Sequence, residues 1–195
     1  MPKGRPRAPR LPRLTDDQLT ARQRQVREAI LSGPRGKVTL DGPFAAFIHA
    51  PDYGDLAQQL GAFCRYRTAL APRLSELAIL TTAHLWKAQY EWYAHAAIAA
   101  RAGVKPQTIK DIQAGRRPKQ APKDELAIYD FIRELYRTRR VGDATYKRVH
   151  AMLGDAGMVE FVGILGYYAL VAMTLDVFRL DVPAGEKPPF REPTT

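Results

Sequence analysis

Apolar residues recur along most of this chain at three- and four-residue spacing, while alternation over the length of a strand is nearly absent, so the pattern predicts helices throughout. Thr15-Asp16-Asp17-Gln18 reads as a capping box with acidic residues in its first turn, opening a helix that runs to about Ser32 and stops at Gly33-Pro34. A short turn at 44–49 follows. A long helix is expected over 52–70, with Leu56, Leu60, Phe63 and Tyr66 or Arg67 along its apolar stripe. Pro72 permits a new start, with Ser75 as a candidate cap, and a further helix covers 89–102 before Gly103 ends it in left-handed geometry. Pro106 begins a short helix closing at Gly115, and 124–140 is amphipathic. Two last helices fall at about 143–153 and 155–178, and the second is apolar nearly all round. Such a helix must be covered on most sides, in the core or between subunits.

The expected fold is therefore all-α, a single-domain helical bundle over residues 15–180 with an interface-prone apolar C-terminal helix. With 195 residues the chain is long enough for one good hydrophobic core. Charge alters this picture only at the ends. The net charge is +10, and half of it lies in residues 1–14, which carry Lys3, Arg5, Arg7, Arg10 and Arg13, four prolines and no acid. That composition predicts a disordered basic tail. It has no interleaved aromatics and no folded nucleic-acid motif, so nucleic acid is not an expected partner. Residues 181–195, with four prolines, are expected to form an extended tail. The longest uncharged apolar run, 161–175, is shorter than the ~20 residues that cross a bilayer, and no apolar leader opens the chain. No membrane association is expected. The single cysteine, Cys64, fits a reducing cytoplasm and reads as a small buried hydrophobe.

Candidate chemistry is concentrated in Leu74–Gly103, where Glu76, His84, Glu91 and His95 fall among apolar neighbours. Glu91 and His95 are four residues apart and share a helix face. A carboxylate beside an imidazole fixes its tautomer and suits proton transfer near neutral pH. An antiparallel hairpin would return Glu76 over the same face. Buried together, Glu76 and Glu91 would resist joint ionisation, leaving one carboxyl protonated and available as an acid. Trp86 and Tyr90 flank the turn into this helix and, with His84 and Tyr167, are the expected substrate-contacting residues. The histidines show no metal-ligand spacing, so no metal is expected.

The same stretch resembles the core motif of the carboxymuconolactone decarboxylase and alkyl hydroperoxidase D superfamily. In the peroxidase branch a Glu is followed by eleven residues, then Cys-x-x-Cys, then three further residues and a His. Glu76 and His95 fall at the Glu and His positions, whereas Ala88 and Glu91 stand at the two cysteine positions. A thiolate must attack the peroxide and a second thiol must resolve the sulfenate, so the CxxC thiol peroxidase reaction is excluded. Glu91-x-x-x-His95 is similar to the lactone decarboxylase branch. The resemblance covers residues 40–182, including the YEWxxH core, the AGV after it and the run GYYALVAMTLDVFRLDVP.

That resemblance implies a cofactor-independent acid–base enzyme, of decarboxylase/lyase or isomerase type, acting on a small carboxylated or lactone-type molecule. His95, oriented by Glu91, would move the proton. Glu76 would hold the second proton position or orient His95 from across the pocket. Arg65, Arg67 and Arg73 are the candidate counter-ions for an anionic substrate. The resemblance also implies a homo-oligomer, a trimer or hexamer. The competing expectation is a non-catalytic helical oligomer that binds a small ligand or protein partner, which a closed core without a pocket would favour.

Overall fold

The computed structural model describes residues 8–35 and 40–191. Among them every regular element is helical. A 3-10 turn, Asp16–Gln18, is followed by α1 (Ala21–Leu31), α2 (Pro43–Phe47), α3 (Pro51–Tyr66), α4 (Pro72–Trp86), α5 (Gln89–Arg101), α6 (Pro106–Gln113), α7 (Lys123–Thr138) and α8 (Asp143–Phe178). Proline occupies the first turn of α2, α3, α4 and α6, where its fixed φ suits the helix and its missing N–H costs nothing. Ser75 does not cap α4; Ala71 stands at that position and the Ser75 hydroxyl donates to the Pro72 carbonyl.

The centre of the molecule is α4, buried without interruption from Leu74 to His84. It packs against α5, α7 and α8, and α3 lies across α8. α4 and α5 form the expected hairpin, closed by Lys87 in left-handed geometry (φ 57°). That hairpin brings the second turn of α4 over the face of α5 on which the candidate histidine lies.

Two expectations need correction. The Thr15–Gln18 capping box forms, but it opens only the 3-10 turn, and the long helix starts at Ala21 instead. Thr20 and Gln23 form a second capping box, with the Gln23 side chain accepting from the Thr20 N–H, so the chain bends at Leu19 and buries that side chain. On α3 the buried side is Gly54, Ala57, Gln58, Gly61 and Cys64, while Leu56 and Leu60 are 69% and 50% exposed. Periodicity finds two stripes there, and the small-residue stripe is the buried one because it lets α3 approach the bundle closely. The predicted pair of helices at 143–153 and 155–178 is present: they make up the two parts of α8, which meet at Gly154, whose backbone (φ 64°, ψ −176°) is not helical.

α8 is long and apolar enough by length and composition to cross a membrane, a property that counting only its uncharged run misses. Its inner side supplies Phe161, Ile164, Leu165, Tyr168 and Val171 to the core. Its outer side leaves Val159, Val162, Met173 and Val177 exposed, so it is not covered on most sides in the single chain.

The two ends are anchored where they are described. In the segment expected to be disordered, Arg10 donates from its backbone N–H to the Phe178 carbonyl (3.0 Å) and from its guanidinium to the Val177 carbonyl (2.8 Å). The left-handed end of α8 leaves those carbonyls unpaired within the helix, and Arg10 takes them up. Residues 1–7 lie outside the described residues. At the other end, Phe190 is seated beside Trp92 and held by Gln89, whose side chain both donates to and accepts from the Phe190 backbone.

Candidate active site

Glu76, in the second turn of α4, and His95, in α5, face each other across the hairpin. The His95 Nδ1 is 2.8 Å from the Glu76 Oε2, and both side chains are buried. Across the ring of His95 stands Tyr168 of α8, edge-on at 5.2 Å between centroids. Glu76 and Tyr168 together fix the imidazole, and with Nδ1 taken up by Glu76, Nε2 is the nitrogen left to a ligand.

Glu91 sits one helical turn before His95. Its carboxyl is buried, and neither oxygen has a hydrogen-bond partner. An ionised carboxylate in that position would bear the full cost of desolvation. Burial, then the nearby Asp176 and Glu76 charges, hold the Glu91 carboxyl well above its ordinary range, which favours its protonated form. Its place in the first turn of α5 favours an anion through the helix dipole, but that effect is worth about 0.3–1 kcal/mol and loses to burial.

Glu91 and His95 open onto one cavity of about 300 Å³. Tyr90, Tyr167 and Tyr168 form its aromatic walls, Val171 and Leu175 its apolar floor, and Arg35 and Arg65 its basic edge. Two glycines make room for the tyrosines. A Cβ at Gly61 would overlap the Tyr167 hydroxyl, and one at Gly42 would overlap the Tyr90 ring. Burial pushes the Tyr167 and Tyr168 hydroxyls up, so both remain neutral donors at physiological pH.

Of the expected residues, the structure brings Glu91, His95, Tyr90 and Tyr167 to the cavity, with Glu76 directly behind His95. Of the two carboxylates expected to orient His95, Glu76 makes the hydrogen bond from across the pocket and Glu91 does not. Two expected substrate contacts lie elsewhere. His84 lies eight positions beyond Glu76 on the same helix, about 12 Å along the axis. His84 packs against Phe190 and Lys87, and burial, with the positive charges of Lys87 and Arg133 adding to it, lowers its pKa to about 4. Trp86 donates to the Tyr136 hydroxyl (3.2 Å) and does not line the cavity.

Among the three candidate counter-ions, Arg65 lines the cavity, Arg67 lies over the Phe63 ring, and Arg73 is bound by Asp124 and Glu125. Arg35 is a member of the site that the sequence does not announce. It comes from the turn after α1, reaches the cavity and donates to the Gln58 side chain and carbonyl. Nothing local in a Gly-Pro-Arg-Gly turn signals that placement.

Cys64 is buried, and desolvation, with Glu160 adding to it, pushes its thiol up to about 11. A thiol-specific disulfide reagent at pH 8 is expected to leave it unmodified in the folded protein and to label it on unfolding. Rapid labelling of the native chain would contradict the buried assignment.

Residues 51–121, which span α3 to α6 and include Glu76, Glu91 and His95, match the carboxymuconolactone decarboxylase family. No curated protein sequence matches the chain. Among solved structures, the chain is similar to an uncharacterised peroxidase-related protein with an alkylhydroperoxidase AhpD core from Ralstonia eutropha JMP134. The TM-score is 0.75 at 17% identity, over 90% of this chain and 93% of that one. It is also similar to an uncharacterised peroxidase-related protein from Silicibacter sp. TM1040, with a TM-score of 0.62 at 13% identity, over 72% of this chain and 75% of that one. The motif-bearing helices thus match that family's model in sequence, and the bundle around them has the fold of these two solved structures.

Proposed function

We propose that this chain is a cofactor-independent acid–base enzyme, of decarboxylase/lyase or isomerase type, that takes a small carboxylated or lactone-type molecule into the cavity above His95. The observation that carries this reading is a division of labour between two carboxyls. Glu76 holds His95 in one orientation, while the unpartnered, protonated Glu91 opens onto the same cavity as the imidazole. Two titratable groups with separated protonation states in one pocket are the requirement for acid–base work at a fixed pH. The cavity volume lies at the small end of ligand sites, which suits a small substrate.

In a decarboxylation, Arg65 and Arg35 bind the substrate's carboxylates. The C–C bond to the departing carboxylate breaks, CO2 leaves, and the electron pair moves into the substrate's own conjugated carbonyl. The Glu91 hydroxyl donates to the resulting oxyanion, and His95, protonated at Nε2, delivers a proton to carbon. Bulk water then restores the proton to His95. An isomerisation uses the same groups with His95 first removing the proton. The exposed apolar side of α3 and α8 is the surface through which we propose the chain assembles into the trimer or hexamer that the resemblance implies.

The test is release of CO2 from 4-carboxymuconolactone by the wild type and by His95→Ala. Turnover that falls about 10²–10⁴-fold in the variant is the expected result. The reading fails if neither protein releases CO2 and neither is thermally stabilised by carboxylated lactones, or if His95→Ala is as active as wild type.

A further inference from the structure

A second cavity, of about 590 Å³, adjoins the first. Tyr90 is the one residue that the α4–α5 hairpin contributes to it. Its walls are the two terminal segments, through Pro9, Leu11 and Pro12 on one side and Leu180, Val182 and Pro183 on the other, closed by residues 40–42 and Ala45. Tyr90 lines both cavities. Its ring lies on Gly42, too close for any side chain there, so one aromatic wall is shared by the two compartments and its place is fixed by the backbone.

The second cavity differs in character from the first. The first has two arginines and a protonated acid at its edge. The second has Arg13 and Arg179 balanced by Asp41 and Asp181, with Arg13 paired to Asp41, so it has no net charge with which to select an ion. Most of its remaining wall is aliphatic or proline. The terminal segments that form it are also held in place. Arg10 is bonded to the last two carbonyls of α8, and the His49 Nε2 donates to the Pro12 carbonyl at 3.0 Å.

We infer that the site takes an elongated carboxylate: a carboxylate-bearing head in the His95–Glu91 cavity and an aliphatic or aryl tail running along the Tyr90 ring into the compartment made by the two terminal segments. This rests on the proposed function only for the head group. The tail compartment assigns work to the N-terminal segment, whose basic sequence otherwise points only to a solvated arm, and it makes chain length a determinant of which acids bind.

The experiment is calorimetric titration of the full chain with straight-chain carboxylic acids from butanoate to dodecanoate, each below its critical micelle concentration. The same series is run on a Leu11→Asp/Val182→Asp variant, whose changes lie outside the helical core. In the wild type, affinity is expected to rise about fourfold per methylene well past the length the first cavity accommodates. In the variant, the short acids bind as in wild type and the gain stops early. The inference is overturned if the wild type reaches its plateau at the same chain length as the variant, if the variant keeps the full gain, or if no acid binds. Arg65→Ala tests the head separately. Unchanged butanoate binding in that variant counts against the proposed function, while the chain-length dependence still decides the tail compartment.

Discussion

Replacing Glu91 by glutamine is expected to make the protein more stable than wild type, and increasingly so as the pH rises. In the unfolded chain the Glu91 carboxyl loses its proton near 4.5, the ordinary glutamate value, whereas in the folded chain it is held well above that by burial and by the Asp176 and Glu76 charges. Above pH 4.5 the folded state therefore binds more protons at this position than the unfolded state does, and wild-type stability falls as the pH rises. The slope is up to about 1.4 kcal/mol per pH unit until the folded group itself ionises. A glutamine side chain has nearly the same shape and cannot ionise, so Glu91→Gln removes this dependence. Its amide is as short of partners as the acid was, so the two proteins should differ little below the unfolded pKa. Urea melts of both proteins at half-unit intervals from pH 4 to 9 measure the gap directly. Parallel curves would mean that Glu91 is ionised in the folded state, and the acid half of the proposed chemistry would go with it.

The way this site is written in the sequence explains which parts can be read in advance. The α4–α5 hairpin is legible because Pro72, Gly103 and the apolar periodicity between them leave little freedom, and the positions of Glu76 and His95 follow from it. Which of the two carboxylates bonds to His95 is not. A four-residue spacing on one helix places Glu91 near His95, but it says nothing of a carboxylate nineteen residues earlier that the hairpin carries to Nδ1. The i,i+4 rule describes an isolated helix, and in a buried pair the contact across helices wins because burial leaves Glu76 no water to bond instead.

The same distinction accounts for α3. Its two stripes are both compatible with a 3.6-residue period, and the larger one faces outward because Gly54, Ala57 and Gly61 are what allow close packing. Nearness in sequence to Tyr90 draws Trp86 and His84 toward the cavity, but the left-handed turn at Lys87 reverses the chain, so neighbours across it diverge. Arg35 and the terminal segments reach the site through tertiary packing alone, which no local pattern records.

The largest functional loss is expected from Glu76, through two variants that separate its roles. Glu76→Ala removes the partner of a buried ring nitrogen and opens space beside it. The unpaired Nδ1 alone costs about 1–3 kcal/mol, so the variant should melt lower and release the imidazole from its fixed orientation. Glu76→Gln keeps the volume and an oxygen that can accept from the Nδ1–H, so its stability should stay within about 1.5 kcal/mol of wild type. What glutamine cannot supply is negative charge beside an imidazole that becomes a cation when it takes up a proton. Turnover should therefore fall by about 10²–10⁴-fold in both variants, whereas only the alanine variant loses stability. Nitrogen-15 spectra of the imidazole provide a readout that folding defects do not mimic. The His95 ring signals should move in Glu76→Gln and remain nearly in place in Glu91→Gln. If they respond to Glu91 and ignore Glu76, the pairing across the hairpin is wrong, and His95 is oriented from its own helix after all.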